Sequence, residues 1–313
     1  MIREIRRGDA PRLFELMRRN FPEESALLGE RPDEYEKVIR RVFRWDTRFL
    51  LGILRLAGRP IFRLLVVEAD RTVVAGTLVT YPPRSAYVSN VVVDPAYRRR
   101  GYAKRMLDVA RESARRAGRR YIALDVLDTN RPARTLYGSL GFQRLRATTH
   151  LVLEDPAGRG VGPVGPGAGV RPFHRSDAGA LTALARQQMP AAVAEVLPIG
   201  ERAFAGSALT ARILASEEAA WVLDRGHGPE GYVAANVSAT SAAAHLTAPV
   251  VSEALDPATV DALGRTAVAW CAVRRAPRIL CMVTEHNTWG RAAVERLGFQ
   301  NAYGSETLYR PVG

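Results

Sequence analysis

The sequence predicts an α/β (α+β) fold made of two tandem domains of one kind, each with a mixed central sheet flanked by helices. Two gapless internal matches indicate the duplication. Residues 2–13 align with residues 170–181, and residues 128–143 align with residues 285–300. Both matches occur in the same order, one near each end of a half, which is the signature of a repeated structural unit.

The two halves are joined by a stretch that suits neither a helix nor a strand. Glycine and proline dominate residues 155–169, DPAGRGVGPVGPGAG, and such a composition is typical of a linker. We therefore expect one domain over residues 1–154 and a second over residues 170–313.

The first part of the chain predicts a short strand and two helices. Residues 2–6 are expected to form the strand, and Asp9 is a suitable cap for a helix that runs to about Asn20. Residues 32–45, PDEYEKVIRRVFRW, place five apolar side chains on one helical face, which predicts the second helix.

Strands and helices then alternate to the end of the half. Residues 61–69 and 72–81 predict two strands, and the Asp70-Arg71 pair between them predicts a tight turn. Helical spacing of apolar side chains over residues 103–117 predicts a helix that Gly118 ends. The other predicted elements are a strand over 85–93, a strand over 121–127, a short helix over 131–140 ended by Gly141, and a strand over about 143–153 that finishes the domain.

The chain is basic, with 45 Lys and Arg residues against 32 Asp and Glu residues and a net charge of +13 at pH 7. Only Lys37 and Lys104 are lysines, so the excess is arginine spread among acids, which indicates a coding bias rather than a selected patch. No basic stretch is interleaved with aromatic residues, and no nucleic-acid-binding motif is present. A nucleic-acid partner is therefore disfavoured, although the charge alone would allow one.

Other classes are disfavoured by what the sequence lacks. No apolar run approaches the roughly 20 residues that cross a bilayer, and residues 1–11 lack the apolar core of a signal peptide. We therefore expect a cytoplasmic protein with no membrane partner. Cys271 and Cys281 are too few for a disulfide framework and are predicted to be small buried side chains. The histidines of the second half are scattered, and no metal is predicted.

The clearest functional signal is VVVDPAYRRRGYAKRML at residues 91–107, where a strand meets a helix. A helix that begins near Gly101 leaves unpaired backbone N–H groups and a partial positive charge at its first turn, and such turns bind phosphates. Gly101 lets the backbone adopt a positive φ close to a ligand, and Ala103 keeps the first turn free of bulk. The basic side chains around this turn are Arg98, Arg99, Arg100 and Lys104.

Two spaced motifs of the first half resemble those of the GNAT N-acetyltransferase family. The family's acyl-CoA signature, Q/R-x-x-G-x-G/A, is matched by residues 98–103, RRRGYA, and its second cofactor motif is similar to residues 130–142, NRPARTLYGSLGF. The motifs have the family's order and separation. The predicted strand–helix order over residues 2–153 also agrees with the family's fold.

The resemblance implies an acetyl-CoA-dependent N-acetyltransferase. In the family, pantetheine lies in a splay between two parallel strands, which implies residues 89–93 and 123–127 here, and the pyrophosphate lies on amides of about residues 99–104. The implied cofactor-binding residues are Val91, Val92, Val93, Arg98, Arg99, Arg100, Gly101, Tyr102, Ala103, Lys104, Asn130, Ala133 and Tyr137.

The resemblance also implies how an acceptor amine is acylated. The amine attacks the thioester carbonyl directly, a backbone N–H near Val92 stabilises the oxyanion, and Tyr137 protonates the departing thiolate as the catalytic general acid. The helical spacing of Tyr137 also fits a plain core residue. Several groups could accept the amine proton and the sequence leaves them open: Glu68, which also fits a surface carboxylate, Asp125, or a water ordered by Ser89 or Asn90.

The second half keeps fold-forming residues and lacks the binding ones. We align VVVDPAYRRRGYAKRML with SEALDPATVDALGRTAV, which matches Asp94-Pro95 with Asp256-Pro257 and leaves no arginine–glycine loop. Val294 stands in place of Tyr137, while Asn287 and the LGF tripeptide remain. We therefore expect a degenerate, non-catalytic second domain with a structural or substrate-shaping role.

The acceptor is predicted only as a primary amine, on a small molecule or on a peptide. Residues 31–60 form an insertion that either shapes the acceptor site or packs on the core. A non-catalytic acyl-CoA sensor or scaffold is the alternative function, but a sensor would not need the proton donor Tyr137. We expect a monomer of two pseudo-equivalent domains, with the oligomeric state otherwise open.

Overall fold

The structure is a computed structural model that describes residues 1–29, 37, 41, 43, 61–158, 169–204, 211 and 215–313. The predicted helix over 32–45 and the insertion over 31–60 lie outside the described residues, apart from isolated positions, as does most of the linker. None of the helices in the described part of the chain is long and apolar enough to cross a membrane.

The described elements of the first half follow the predicted order, apart from one helix, Pro22–Leu28, that was not predicted and the helix predicted over 32–45, which lies outside the described residues. They are β1 (Ile2–Glu4), α1 (Ala10–Asn20), α2 (Pro22–Leu28), β2 (Phe62–Ala69), β3 (Thr72–Thr80), β4 (Ser85–Val93), α3 (Tyr102–Arg116), β5 (Tyr121–Leu127), α4 (Arg131–Ser139) and β6 (Gln143–Glu154). The bounds predicted for β4 and β5 are confirmed to the residue, and α2 is a helix that the sequence analysis missed. Asp70 and Arg71 form the predicted turn, with φ of +49° and +60°.

The second half repeats this order with some shorter elements. They are β7 (Val170–Pro172), α5 (Ala178–Gln187), α6 (Ala191–Val196), β8 (Ser216–Asp224), β9 (Pro229–Ser238), β10 (Ala244–Thr247), β11 (Val250–Val251), α7 (Pro257–Val273), β12 (Arg278–Thr284), α8 (Thr288–Arg296) and β13 (Gln300–Pro311). The tandem organisation predicted from the two internal matches is therefore present in the fold.

Asp9 does not cap α1 with its side chain, contrary to the prediction. Its carboxylate instead accepts hydrogen bonds from the Arg6 amide at 2.6 Å and from both terminal nitrogens of the Arg3 guanidinium at 2.6 and 2.9 Å. These bonds lower the pKa of Asp9, with the Arg3 bond as the largest cause. The second half has an equivalent network with its own trio: Arg171, Asp177 and Asp224.

The strands of the described residues lie in one 13-stranded sheet in which the two halves exchange their last strands. The order is β1-β2-β3-β4-β5-β13-β6-β12-β10-β9-β8-β7, with β11 paired to β9. The prediction that residues 143–153 form a strand is confirmed, and the structure adds that this strand pairs with strands of the other half. β6 lies between β13 and β12 of the second half, and β13 lies against β5 of the first half.

The exchange also joins the hydrophobic cores. Leu151 and Leu153 of β6 are buried in the core of the second half, beside Ile279 and Leu263. Leu308 of β13 is buried in the core of the first half. Each half therefore depends on the other for part of its apolar burial, which is the main source of stability in a folded chain.

Short helices add a second contact between the halves. Leu28, at the end of α2, accepts hydrogen bonds through its carbonyl from the Ala242 amide at 3.0 Å and from the Ser241 hydroxyl at 2.7 Å. At the equivalent place on the other side, Glu195 of α6 accepts a hydrogen bond from the Tyr121 hydroxyl at 3.1 Å and pairs with Arg120.

The two cysteines are buried, as predicted. Cys271 and Cys281 have 0% and 1% of their surface exposed and are free thiols. Burial raises the pKa of each thiol to about 12 because an apolar surrounding disfavours the thiolate.

A mutation can test whether β6, which belongs to the first half of the sequence, stabilises the core of the second half. Leu151→Ala should lower the free energy of unfolding by about 2–5 kcal/mol, the usual effect of removing a buried leucine. Because Leu151 packs in the second core, hydrogen exchange should show the lost protection in α7 and β12 of the second half. Leu124→Ala, the matched control in the first core, should instead lower protection in α3. Loss of protection confined to the first half in both variants would contradict the exchange.

Candidate ligand-binding site

The site is a fork between two parallel strands. β4 pairs with β5 only from Ser85, opposite Tyr121, to Val88, opposite Leu124. β4 then continues to Val93 without β5 as a partner, while β5 stays paired with β13 on its other side. Backbone groups of the predicted Val91 and Val93 therefore face an open wedge, whereas the predicted Val92 lies opposite Gly76 and turns its backbone groups to β3.

A β-bulge on β4 marks the start of the fork. β3 places Gly76 opposite Val92 and Leu78 opposite Ser89, so β4 holds one extra residue between these pairs. Asn90 in this segment has a φ of +55°, in the left-handed region that asparagine tolerates better than most residues. Since a bulge bends its strand and increases its twist, it accounts for the departure of β4 from β5. Thr77 stabilises the bulge, because its hydroxyl donates to the Ser89 carbonyl at 2.8 Å.

The loop after β4 presents a row of free amides at the same edge. Residues 94–101 join β4 to α3, with φ of +64° at Arg99 and +76° at Gly101. None of the amide N–H groups of residues 99–104 has a hydrogen-bond acceptor within the described part of the chain, and the first helical bond is donated by Arg105 to the Gly101 carbonyl. A Cβ at Gly101 would meet nothing within 4 Å, so this turn is open to a ligand.

Basic side chains surround these amides. The guanidinium of Arg98 donates to the Asn20 side chain at 2.9 Å, and the guanidinium of Arg100 lies 4.8 Å from the centroid of the Tyr97 ring. The exposed side chains of Arg99 and Lys104 make no ion pair or hydrogen bond with the residues that the structure describes. They are therefore free to meet an anion on the loop.

Arg12 and Asp94 hold the loop in place, and sequence reasoning missed this pair. Asp94 is 7% exposed; its carboxylate accepts a bond from the Ala96 amide at 2.9 Å and pairs with the Arg12 guanidinium. Arg12 lies on α1, so the first helix braces the strand end from which the loop starts. The two residues are 82 positions apart; no local pattern in the sequence indicates that they meet.

The second motif lies beside the wedge on α4. The Asn130 side chain caps this helix, with Oδ1 accepting the Ala133 amide at 3.1 Å. Tyr137 is 5% exposed and packs in the core that contains Val88, with its ring 5.9 Å from the ring of Phe142. Burial raises the pKa of the Tyr137 phenol to about 12, with no hydrogen bond among the causes of this shift.

The groups considered as proton acceptors are not alike. Glu68 is bonded to Arg3 at the far edge of the sheet, with 2.8 Å between the Arg3 Nε and the carboxylate, which is a structural ion pair. Asp125 is exposed at the fork and accepts a hydrogen bond from Thr307 at 2.8 Å. Ser89 and Asn90 lie on the bulge. Within the described residues, no group of three or more His, Cys, Asp and Glu side chains could hold a metal ion.

The equivalent fork in the second half is filled by protein. Between β10 and β11, Pro249 occupies the place of Val91, and its carbonyl accepts a hydrogen bond from the Asn287 side chain at 3.1 Å. The backbone of Gly290 also approaches this carbonyl so closely that a Cβ there would clash with it. Since proline has no N–H, this position offers no donor to a ligand.

The loop before α7 is shorter and its helix is already capped. Five residues, 252–256, join β11 to α7, and none of them has a positive φ. The Asp256 carboxylate accepts the Thr259 amide at 3.0 Å and the Thr259 hydroxyl at 2.6 Å. The predicted match of Asp256-Pro257 with Asp94-Pro95 is wrong in structure: Ser252 takes the place of Asp94, since its amide continues the ladder to β9 as the Asp94 amide does to β3. Val294 does occupy the place of Tyr137 and is fully buried.

Comparisons with known proteins agree with this architecture. Residues 11–142 match the model of the acetyltransferase (GNAT) family. A tandem GNAT protein from the clavulanic acid biosynthesis pathway, solved without acetyl-CoA, is similar over 100% of this chain and 98% of its own, with a TM-score of 0.64 and 18% identity. A GCN5-related N-acetyltransferase from Sphaerobacter thermophilus is similar over 100% of this chain and 95% of its own, with a TM-score of 0.64 and 15% identity. None of the curated proteins matches the sequence significantly.

The support given by α1 to the loop can be tested by mutation. Arg12→Ala should lower the free energy of unfolding by about 1–3 kcal/mol, because the buried Asp94 carboxylate loses a charged partner. The variant should also be cut faster by trypsin after residues 98, 99 and 100. Arg19→Ala, which removes an exposed ion pair with Glu15 on the same helix, should cost no more than about 1 kcal/mol and leave tryptic cleavage unchanged. Equal behaviour of the two variants would show that Arg12 does not brace the loop.

Proposed function

Residues 11–142 carry the sequence pattern of the acetyltransferase (GNAT) family, and from this premise we propose that the protein is an acetyl-CoA-dependent N-acetyltransferase. The first half, residues 1–154, is the catalytic domain, and the acceptor is a primary amine. One observation carries the proposal: the free amides of residues 99–104 begin a helix at the edge where β4 has left β5.

The residues at this edge fit the two parts of acetyl-CoA. A diphosphate suits a helix N-terminus with unpaired amides, and the positive φ of Gly101 turns the backbone toward it without a side chain in the way. Arg98, Arg99, Arg100 and Lys104 add attraction, and Tyr102 and Ala103 line the first turn. The unpaired side of β4 at Val91 and Val93 offers backbone groups to an amide-containing chain such as pantetheine, with Asn130 and Ala133 at the other wall.

The chain supplies a proton donor and a dipole for acyl transfer. Acetyl-CoA brings an activated acyl thioester. A backbone N–H next to Val92, on the unpaired side of β4 at Val91, stabilises the negative charge that develops on the carbonyl oxygen. Tyr137 gives its proton to the leaving sulfur; burial keeps the phenol protonated at neutral pH, since its pKa is raised to about 12.

We assign the second half, residues 170–313, a role without cofactor binding. Pro249 and Asn287 close its fork, and the Asp256 carboxylate occupies the helix N-terminus where a phosphate would lie. A carboxylate there repels a second anion. This degenerate half instead completes the sheet of the first through β13, and residues 155–169 link the two domains. Because the strands are exchanged within one chain, the sheet needs no second copy, which favours a monomer.

The alternative of a non-catalytic acyl-CoA sensor or scaffold has less support. A sensor needs the amide loop but has no use for a phenol at the fork. Tyr137 is present in the half with the amide loop, while Val294 replaces it in the half without that loop. The amide loop and the tyrosine thus occur in the same half, and the other half has neither, which favours an enzyme.

Calorimetry on two glycine variants tests the amide loop. Gly101→Asp should weaken acetyl-CoA binding by at least about 100-fold, because a carboxylate side chain would stand next to the diphosphate. Gly118→Asp is the matched control: Gly118 also has a positive φ, +67°, with no atom within 4 Å of an added Cβ, but it lies at the other end of α3. The control should lose similar stability and keep its affinity. Unchanged affinity in Gly101→Asp would place the diphosphate elsewhere.

Kinetics on Tyr137→Phe test the proton donor. The variant should lower kcat by about 100-fold or more and change the KM for acetyl-CoA little, since the phenol acts on the leaving group. Tyr81→Phe serves as the control, because Tyr81 is a buried phenol of the same core that bonds Ser113 at 2.6 Å. It should keep kcat within a few-fold. Equal kcat values for the two variants would assign Tyr137 to packing alone.

A further inference from the structure

We propose that the acceptor binds as an alkylammonium ion on Asp125, at the mouth of the fork opposite Tyr137, and that the second half completes this subsite with Thr307. The inference rests on the proposed function of the fork. It adds the chemical class of the acceptor and gives the second half a residue in the acceptor site.

Asp125 lies where an acceptor can meet the wedge. It is the first residue of β5 beyond the last β4–β5 pair, Val88 with Leu124. Its neighbours Leu124 and Val126 are buried in the core that contains Tyr137, so the Asp125 side chain is on the other face of the sheet. That side chain is exposed. The proton donor and the carboxylate therefore lie at opposite mouths of one fork.

The hydroxyl group of Thr307 holds the carboxylate. The Thr307 hydroxyl donates to Asp125 Oδ1 at 2.8 Å, and Arg146 Nε donates to that hydroxyl at 3.4 Å, which leaves its proton for Asp125. Tyr87 on β4 lies next to Asp125, and burial followed by the charge of Asp125 raises the pKa of the Tyr87 phenol. A carboxylate can accept about four hydrogen bonds, so capacity remains for a cationic donor.

Thr307 reaches this place only through the exchange of strands. It lies on β13, directly between Asp125 on β5 and Arg146 on β6, and is 1% exposed. A buried hydroxyl with a fixed donor and a fixed acceptor sets the direction of the carboxylate. The degenerate half thus contributes to the acceptor side of the first fork without binding a cofactor itself.

The second fork has no counterpart of Tyr87, Asp125 or Thr307. By the sheet registers, His245 stands in place of Tyr87, Met282 in place of Asp125 and His150 in place of Thr307. Met282 is 60% exposed, so the mouth of that fork presents a thioether instead of a carboxylate. The half without free amides is therefore also the half without the carboxylate. Tyr87, Asp125 and Thr307 thus occur only beside the fork with free amides, which agrees with a role in the transfer reaction rather than in the fold.

An alkylamine suits this site better than a neutral amine. Alkylamines resemble the lysine side chain, with a pKa of about 10.4, and arrive as ammonium ions that form charge-assisted hydrogen bonds to a carboxylate. The nitrogen must lose one proton before its lone pair forms the C–N bond, and that proton leaves to water at the exposed mouth. As the amide forms and the C–S bond breaks, the sulfur takes the proton of Tyr137, and the second proton lost by the nitrogen returns through solvent to the Tyr137 phenolate.

The test is a panel of two kinds of amine with Asp125→Asn and Thr307→Val. Benzylamine, spermidine, lysine amide and kanamycin are the alkylamines, and p-anisidine is an amine that is neutral at pH 7. In Asp125→Asn, kcat/KM for the alkylamine that the wild type uses best should fall about tenfold or more. The kcat/KM for that alkylamine divided by the kcat/KM for p-anisidine should fall by the same factor. Thr307→Val should lower kcat/KM for the alkylamine by a smaller factor. Thr307→Ser, which keeps a hydroxyl group, should keep kcat/KM near the wild-type value.

Two controls isolate the contribution of the Asp125 carboxylate. Asp128→Asn removes an exposed negative charge three residues away and should leave the ratio unchanged, which excludes a general charge effect. Calorimetry should show wild-type affinity for acetyl-CoA in every variant. A wild-type protein that binds no acetyl-CoA would overturn the proposed function. Different results would overturn the Asp125 subsite.

Three results would overturn the subsite while the proposed function stands. The first is equal loss of alkylamine and p-anisidine transfer in Asp125→Asn. The second is an Asp128→Asn variant that loses as much as Asp125→Asn. The third is a wild-type protein that acetylates p-anisidine and none of the four alkylamines.

Discussion

The separation of β4 from β5 after Val88 and Leu124 is the constraint on which the site depends. Without it, the backbone groups of Val91 and Val93 would be used in the ladder with β5 and would not face an open wedge. The bulge at Asn90 and the Thr77 hydroxyl hold the strands apart. The loop with free amides follows at the same edge, because the carboxyl end of β4 and the start of α3 meet there. A ligand with a diphosphate and an amide chain matches both features at once.

The exchanged strands give a physical reason for keeping a second half whose own fork is closed. β13 pairs with β5 along its length and stabilises the strand that forms one wall of the wedge. Leu308 adds apolar contact to the first core, and β6 does the same for the second core through Leu151. Loss of the second half would therefore open the first sheet beside its site. A closed second fork leaves these contacts intact, whereas loss of one domain would remove them.

The sequence predicted the strands and helices of the site well because their signals are local. Val91 to Val93 before a proline, Gly101 before an amphipathic helix and Asn130 before α4 each fix a boundary within a few residues. The strand exchange was missed, since the pattern of residues 143–153 suits either neighbour. The Arg12–Asp94 pair and the Asp125–Thr307 bond were missed because they join positions far apart in the chain. The Asp-Pro match of the two halves misled the alignment, since Asp256 begins a helix while Asp94 begins a loop.

A crystal structure of the complex with coenzyme A is the decisive measurement for the fork and its amide loop. We expect the pyrophosphate within hydrogen-bonding distance of the amides of residues 99–104, pantetheine along residues 91–93, and no ligand at the second fork. A pyrophosphate bound at the start of α7 or in another crevice, with those amides left without a partner, would contradict the proposed binding mode.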